Sequence, residues 1–272
     1  MSSEFDSVDG AGGSVPGDAV RDVLRALLAA VVLSVVGIVA GGVLVVAAAL
    51  VLGVAGVQVT PLLSILLSLV LATGFGFGGV ALAYLHYRDT GIDYVGLGVP
   101  SLRDVASVVG GYVTAMGFLV IASVIIRTLG AETASNSAAE VGLQNPEILL
   151  LLIPASLLLI GPGEELLYRG VVQNRLSEAL PAPAAIFLAS LIFASIHYFS
   201  LTGMPRARLV SISVLVLPTL VFGTVYELTD NIVVPALIHG SYNATLFGML
   251  YLSIQFADSG QLPQALLAIV GA

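Results

Sequence analysis

Apolar runs long enough to cross a bilayer recur along this chain, separated by short polar clusters, and that pattern leaves little choice of architecture. A membrane helix needs about 20 apolar residues. The runs fall within about 23–56, 61–85, 104–129, 147–180, 183–199, 207–227 and 231–255. Only 10% of the 272 residues are charged and 58% are hydrophobic, whereas soluble domains are roughly 25% charged. The expected fold is an all-α, polytopic transmembrane helical bundle of seven spans, with room for an eighth in residues 262–272. Lipid is therefore one partner, and the chain is expected to be an integral protein of the cell membrane.

Residues 1–19 are Gly/Ser-rich and acidic, the composition of a disordered tail. Spans 1–3 then occupy 20–145, a membrane domain 146–255, and a short apolar segment 256–272. Residues 130–147, with three acids, are expected to form a polar loop. All nine basic residues are arginine, against 17 acidic residues and a net charge of −8, which argues against a nucleic-acid partner. Arg21, Arg25, Arg88, Arg103, Arg169 and Arg175 fall on one side of alternating spans, and the 130–147 loop has no arginine. The N-terminus is accordingly expected in the cytoplasm. Cysteine is absent, which removes disulfides, thiolate metal sites and a cysteine nucleophile.

Against this background the ionisable residues stand out. Each charge in a span costs ~2.5–3.5 kcal/mol on insertion scales and marks function by default. GPGEELLYRG carries Glu164, Glu165 and Arg169; FASIH ends at His197; HGSYN runs from His239 to Asn243. Pro181 makes the fourth and fifth spans an antiparallel hairpin. Glu164 lies 17 residues before that proline and His197 lies 16 after it. Both therefore sit ~24–26 Å from the turn, at one level. A carboxylate and an imidazole so placed can share a proton or a water. Glu165 and Arg169 form an i,i+4 pair, as do His239 and Asn243. His239 lies only ~12 Å into its span, which points to a re-entrant entry at ELTDN.

Each cluster alone has a bland explanation. The glutamates could mark a helix reaching the headgroups, His197–Tyr198 an interfacial belt, and His239–Asn243 ordinary interhelical bonding. Their conjunction is what carries weight.

The ordered trio EExxxR, FxxxH and HxxxN, read here as GEELLYRG, FASIH and HGSYN, resembles the CPBP family of intramembrane proteases. That group contains the type II CAAX prenyl endopeptidases and bacteriocin-processing or immunity proteins. The resemblance covers about 146–250. It implies Glu164 as the water-activating base, His197 as its partner, and His239 and Asn243 as stabilisers of the oxyanion, with Glu165 and Arg169 in support. The implied substrate is a membrane-associated protein or peptide, of the CAAX prenylated type in the family's best-known activity. The expected cavity opens sideways or to the cytoplasm. The chemistry agrees: a desolvated glutamate is a stronger base, and a neutral amide suits a developing negative charge. Neither a G-x-S-x-G elbow nor an HExxH motif occurs.

The family is commonly classed with metalloendopeptidases, and zinc would take Glu164, His197 and His239 as ligands if it bound. With no i,i+4 histidine pair and Asn243 in the set, the favoured chemistry requires no cofactor. A proton-coupled transporter also uses buried carboxylates, and a non-catalytic immunity or binding protein could keep the motifs. The absence of an internal repeat weighs against transport.

Overall fold

A computed structural model describes residues 16–257, and the chain is almost wholly helical. Helix α1 spans Pro16–Val54, α2 Pro61–Tyr87, α3 Leu102–Leu129, α4 Ser137–Gln144, α5 Pro146–Ser177, α6 Ala182–Phe199, α7 Pro205–Thr229 and α8 Val233–Ala257. Six of these, all but α4 and α8, are long and apolar enough to cross a membrane. Helix α8 has the length, 25 residues, but is not among the six; it carries the polar run HGSYN. The expected count of seven spans is thus not confirmed: six qualify among the described residues. The segment 262–272 lies outside the described residues. So do residues 1–15 of the expected tail, while 16–19 are already the first turn of α1.

The expected loop at 130–147 is instead folded. Strand β1, Ser135–Asn136, pairs antiparallel with β2, Leu201–Thr202, in the register Ser135↔Thr202 and Asn136↔Leu201. Asn136 caps α4 by accepting from the Ala138 amide, as short polar side chains at N-caps do. Ser137 gives Ser200 O both its amide, at 2.9 Å, and its hydroxyl, at 2.7 Å. This folded cover fastens the α3–α5 connection to the α6–α7 connection.

The opposite end of the bundle is held by charge and by burial. Glu178 accepts from Arg175 at 2.6 Å, Tyr94 at 2.7 Å and Arg88 at 3.1 Å. Burial, with that bond to Glu178, pushes the Tyr94 phenol well above the usual tyrosine range. Between α7 and α8 the chain makes a tight turn, with Asp230 in the left-handed region at φ 47° and Asn231 and Ile232 buried. Ile232 donates its amide to Gly96 O at 3.3 Å. No re-entrant segment occurs at ELTDN. The segment 88–101 covers this turn, so α8 starts deep and His239 gains its depth that way.

Beneath that end Ala26, Ala30, Tyr168, Val171, Leu176 and Tyr226 pack into one buried cluster. The motif helices also approach at backbone distance. A Cβ on Gly161 would lie 2.5 Å from Ala236 O, and one on Gly240 would lie 2.7 Å from Ser156 O. Only glycine permits this α5–α8 crossing.

Candidate active site

The site grows from irregularities in α5. Wide i→i+5 turns occupy Ser156–Ile160 and Leu166–Gln173, with a regular turn, Gly161–Glu165, between them. Pro162 has no amide hydrogen and its ring would crowd the carbonyl four residues back. A widened turn before it relieves that conflict, and such turns are frequent at functional sites. They set the face on which Glu164 and Glu165 project.

Glu165 is fully buried and doubly engaged. Its Oε1 accepts from His239 Nδ1 at 2.8 Å, and its Oε2 lies 3.2 Å from Arg169 Nε, an ion contact rather than an aligned hydrogen bond. Arg169, also fully buried, donates to Thr219 O at 2.8 Å. Its guanidinium sits 4.9 Å from the Phe193 ring centroid and 5.8 Å from that of Phe222. The expected i,i+4 pair is present, and it reaches across to α7 and α8 as well.

From His239 the chain of bonds continues. Its Nε2 lies 3.0 Å from Asn243 Nδ2. An amide nitrogen can only donate and a carboxylate can only accept. His239 therefore holds its proton on Nδ1 toward Glu165 and accepts at Nε2, the neutral tautomer. Both of its nitrogens are committed, and one N–H of Asn243 is left over. Phe222 stacks on the His239 ring at 5.1 Å and 20°.

Glu164 contrasts with its neighbour. Its side chain is 12% exposed, and Oε2 is buried with no hydrogen-bond partner, 3.9 Å from His239 Nε2. His197 is half-buried and its Nδ1 lies 2.9 Å from Phe193 O. A carbonyl only accepts, so that nitrogen carries the proton and Nε2 keeps its lone pair. No hydrogen bond joins Glu164 to His197 directly.

A cavity of about 440 Å³ is lined by Phe193, His197, Thr219, His239 and Asn243, with Leu119, Leu215, Leu246 and other apolar groups. His197 thus faces the same cavity as His239 and Asn243, and not lipid. Glu164 is not in the wall itself. The cavity runs to Ile126, Ser135, Asn136, Glu140 and Leu143 under the folded cover, the end of the bundle opposite Arg88 and Arg175. A cytoplasmic N-terminus and a cavity opening to the cytoplasm therefore exclude each other.

Zinc would need Glu164, His197 and His239 to converge. Among the described residues no three His, Asp or Glu side chains come together to hold a metal ion. His239, committed at both nitrogens, has no lone pair to give. The donor set does not fit zinc in this arrangement.

Sequence reasoning gave no role to Phe193, Phe222 or Thr219. Phe193 is the hub of the aromatic contacts, edge-on to Tyr168 at 4.7 Å, His197 at 5.0 Å and His239 at 5.7 Å. Its i,i+4 spacing to His197 in FASIH was the available signal. Phe222 and Thr219 had none, because their helix carries no motif.

No curated protein and no solved structure matches the chain. A family model described as Rce1-like, type II CAAX prenyl endopeptidase Rce1-like, matches residues 146–245. That stretch holds all three motifs and every polar side chain of the buried chain of bonds. Over residues 146–245 the chain is similar to the type II CAAX prenyl endopeptidase Rce1-like family of intramembrane endopeptidases.

Proposed function

We propose that this protein hydrolyses a peptide bond of a membrane-associated protein or peptide, with Glu164 as the general base. The observation that carries the reading is the contrast between adjacent glutamates. Glu165 accepts a hydrogen bond from His239 and has the Arg169 guanidinium 3.2 Å away as counter-ion, whereas Glu164 has only His239 at 3.9 Å and its buried Oε2 has no hydrogen-bond partner. An unpaired carboxylate oxygen in apolar surroundings is costly, and a water supplies the missing bond.

In this mechanism the water sits between Glu164 Oε2 and His197 Nε2, both acceptors. Glu164 takes one proton as the water oxygen attacks the carbonyl carbon. The carbonyl oxygen, now an oxyanion, accepts from the free N–H of Asn243. Collapse breaks the C–N bond, and the proton held at Glu164 passes to the leaving nitrogen. His239 does not touch the oxyanion in this scheme; held by Glu165, it orients Asn243. No cofactor is required, and activity persists in chelator.

The arginines favour a cytoplasmic N-terminus, with Arg21, Arg25, Arg88, Arg103 and Arg175 at one end against Arg127, Arg206 and Arg208 at the other. The substrate then reaches the cavity from the extracytoplasmic face or laterally from lipid.

The test is cleavage of matched prenylated and unprenylated peptides by wild-type protein and Glu164→Gln. Cleavage by wild type and its loss in the folded variant support the reading. Equal cleavage by both removes Glu164 from the mechanism, and peptide binding without cleavage by either favours a non-catalytic protein.

A further inference from the structure

The cavity wall contains an acid that the proposed hydrolysis leaves idle. Glu140, on α4, is half-buried and lines the cavity that also reaches His197, His239 and Asn243. Those two histidines and the Tyr242 phenol are the other ionisable groups in the lining, none of them a standing cation, and much of the remainder is apolar. No arginine pairs with Glu140 among the described residues. Its Oε1 accepts from the Thr202 hydroxyl, which fixes the carboxylate without neutralising it.

The placement is rigid. The β1–β2 pairing, the two hydrogen bonds that Ser137 donates to Ser200 O and the Asn136 cap hold α4 from one side. On the other side Gly142 meets Leu149 so closely that a Cβ would lie 2.3 Å from its Cδ2. An uncompensated negative charge held over an apolar cavity attracts a cation more strongly than a solvated acid does.

We propose that Glu140 forms a specificity subsite that favours peptides carrying a cationic group, a lysine or arginine side chain or a free α-amine, at the covered end of the cavity. The proposal rests on the endopeptidase reading for its biological meaning, but not for its measurement. An acid in the first turn of α4 also suits the helix dipole, a purely structural role that charge preference would not reveal.

The experiment measures binding of fluorescent peptides to full-length protein in the Glu164→Gln background, where turnover does not intervene. The peptides differ at single positions as Lys, Gln or Glu, each with a free or acetylated amino terminus. The expected result is that one cationic form binds roughly threefold to tenfold more tightly than its neutral counterpart. Glu140→Gln then brings it down to the neutral level and Glu140→Lys favours Glu. The acetylated series tells a side-chain cation from an α-amine. An absent preference, or one that survives Glu140→Gln, overturns the proposal, and a lowered melting temperature with preference intact assigns Glu140 to α4 stability alone. Failure of the endopeptidase reading registers separately, as no cleavage by wild type of peptides that bind.

Discussion

His239 Nδ1 and Glu165 Oε1 lie 2.8 Å apart in the buried centre of the bundle, joining two motifs that are 74 residues apart in sequence. With Arg169 on one side and Asn243 on the other, four side chains form one line of bonds. Only the last of them faces the cavity with a free donor. The line therefore transmits position: moving any member shifts the free N–H of Asn243, which the proposed mechanism directs at the oxyanion.

Glu164→Gln keeps the size of the side chain and removes its basicity. Turnover falls by at least ~10²-fold, the scale of losing a general base, while the melting temperature in detergent holds. A folded variant with near-normal turnover would falsify the assignment.

Arg169→Ala leaves Glu165 as an uncompensated buried charge. Breaking one side of a buried pair costs about 3–5 kcal/mol, so the variant expresses poorly and unfolds at lower denaturant. Stability equal to wild type would mean that the ion contact with Glu165 is dispensable.

Asn243→Ala removes the free donor and leaves Glu164 in place. kcat is expected to fall by ~10²–10³, as for loss of one oxyanion donor, with KM little changed. A change confined to KM would place Asn243 in substrate binding instead.

Gly240→Ala drives a methyl group to 2.7 Å from Ser156 O at the α5–α8 crossing, whereas Gly117, on α3, has nothing within 4 Å of the same position. The first substitution lowers stability and activity together. The second is neutral or stabilising by up to about 1 kcal/mol, the helix preference of alanine. Equal melting temperatures for the two variants would refute the claim that close packing sets the site.

Without cysteine in the chain, single introduced thiols report sidedness cleanly. Met204 and Val99 are both highly exposed, at the two ends of the bundle. In intact cells an impermeant maleimide is expected to label Met204→Cys and to spare Val99→Cys until the membrane is opened. The reverse pattern would turn the molecule over and place the cavity on the cytoplasmic side.

Much of this site was legible beforehand. Proline at 181 gave the hairpin, and helical spacing gave the Glu165–Arg169 and His239–Asn243 pairs. What spacing omits is the rotation of one helix about its axis relative to another. The bond from His239 Nδ1 to Glu165 was not foreseen, and it forms where Gly161 and Gly240 let α8 sit directly against α5. The cover was illegible for a different reason: strands of two residues and a helix of eight lack the length for a periodic signal.

The buried ionisable groups also sit within an electric field. Glu164 lies 18 residues beyond Pro146 on a helix of 32 residues, so a proton entering from the covered end passes more than half the length of α5 before binding. One full charge crossing costs or gains ~2.3 kcal/mol per 100 mV, so this partial transit is worth on the order of 1 kcal/mol. Such a change displaces an apparent pKa by roughly 0.7 unit. In proteoliposomes carrying an imposed diffusion potential, the activity–pH curve should therefore slide with voltage, and a curve indifferent to voltage would mean that protons arrive by another path. On the proposed mechanism, the depth of Glu164 along α5 thus makes membrane energisation a setting of the hydrolytic rate.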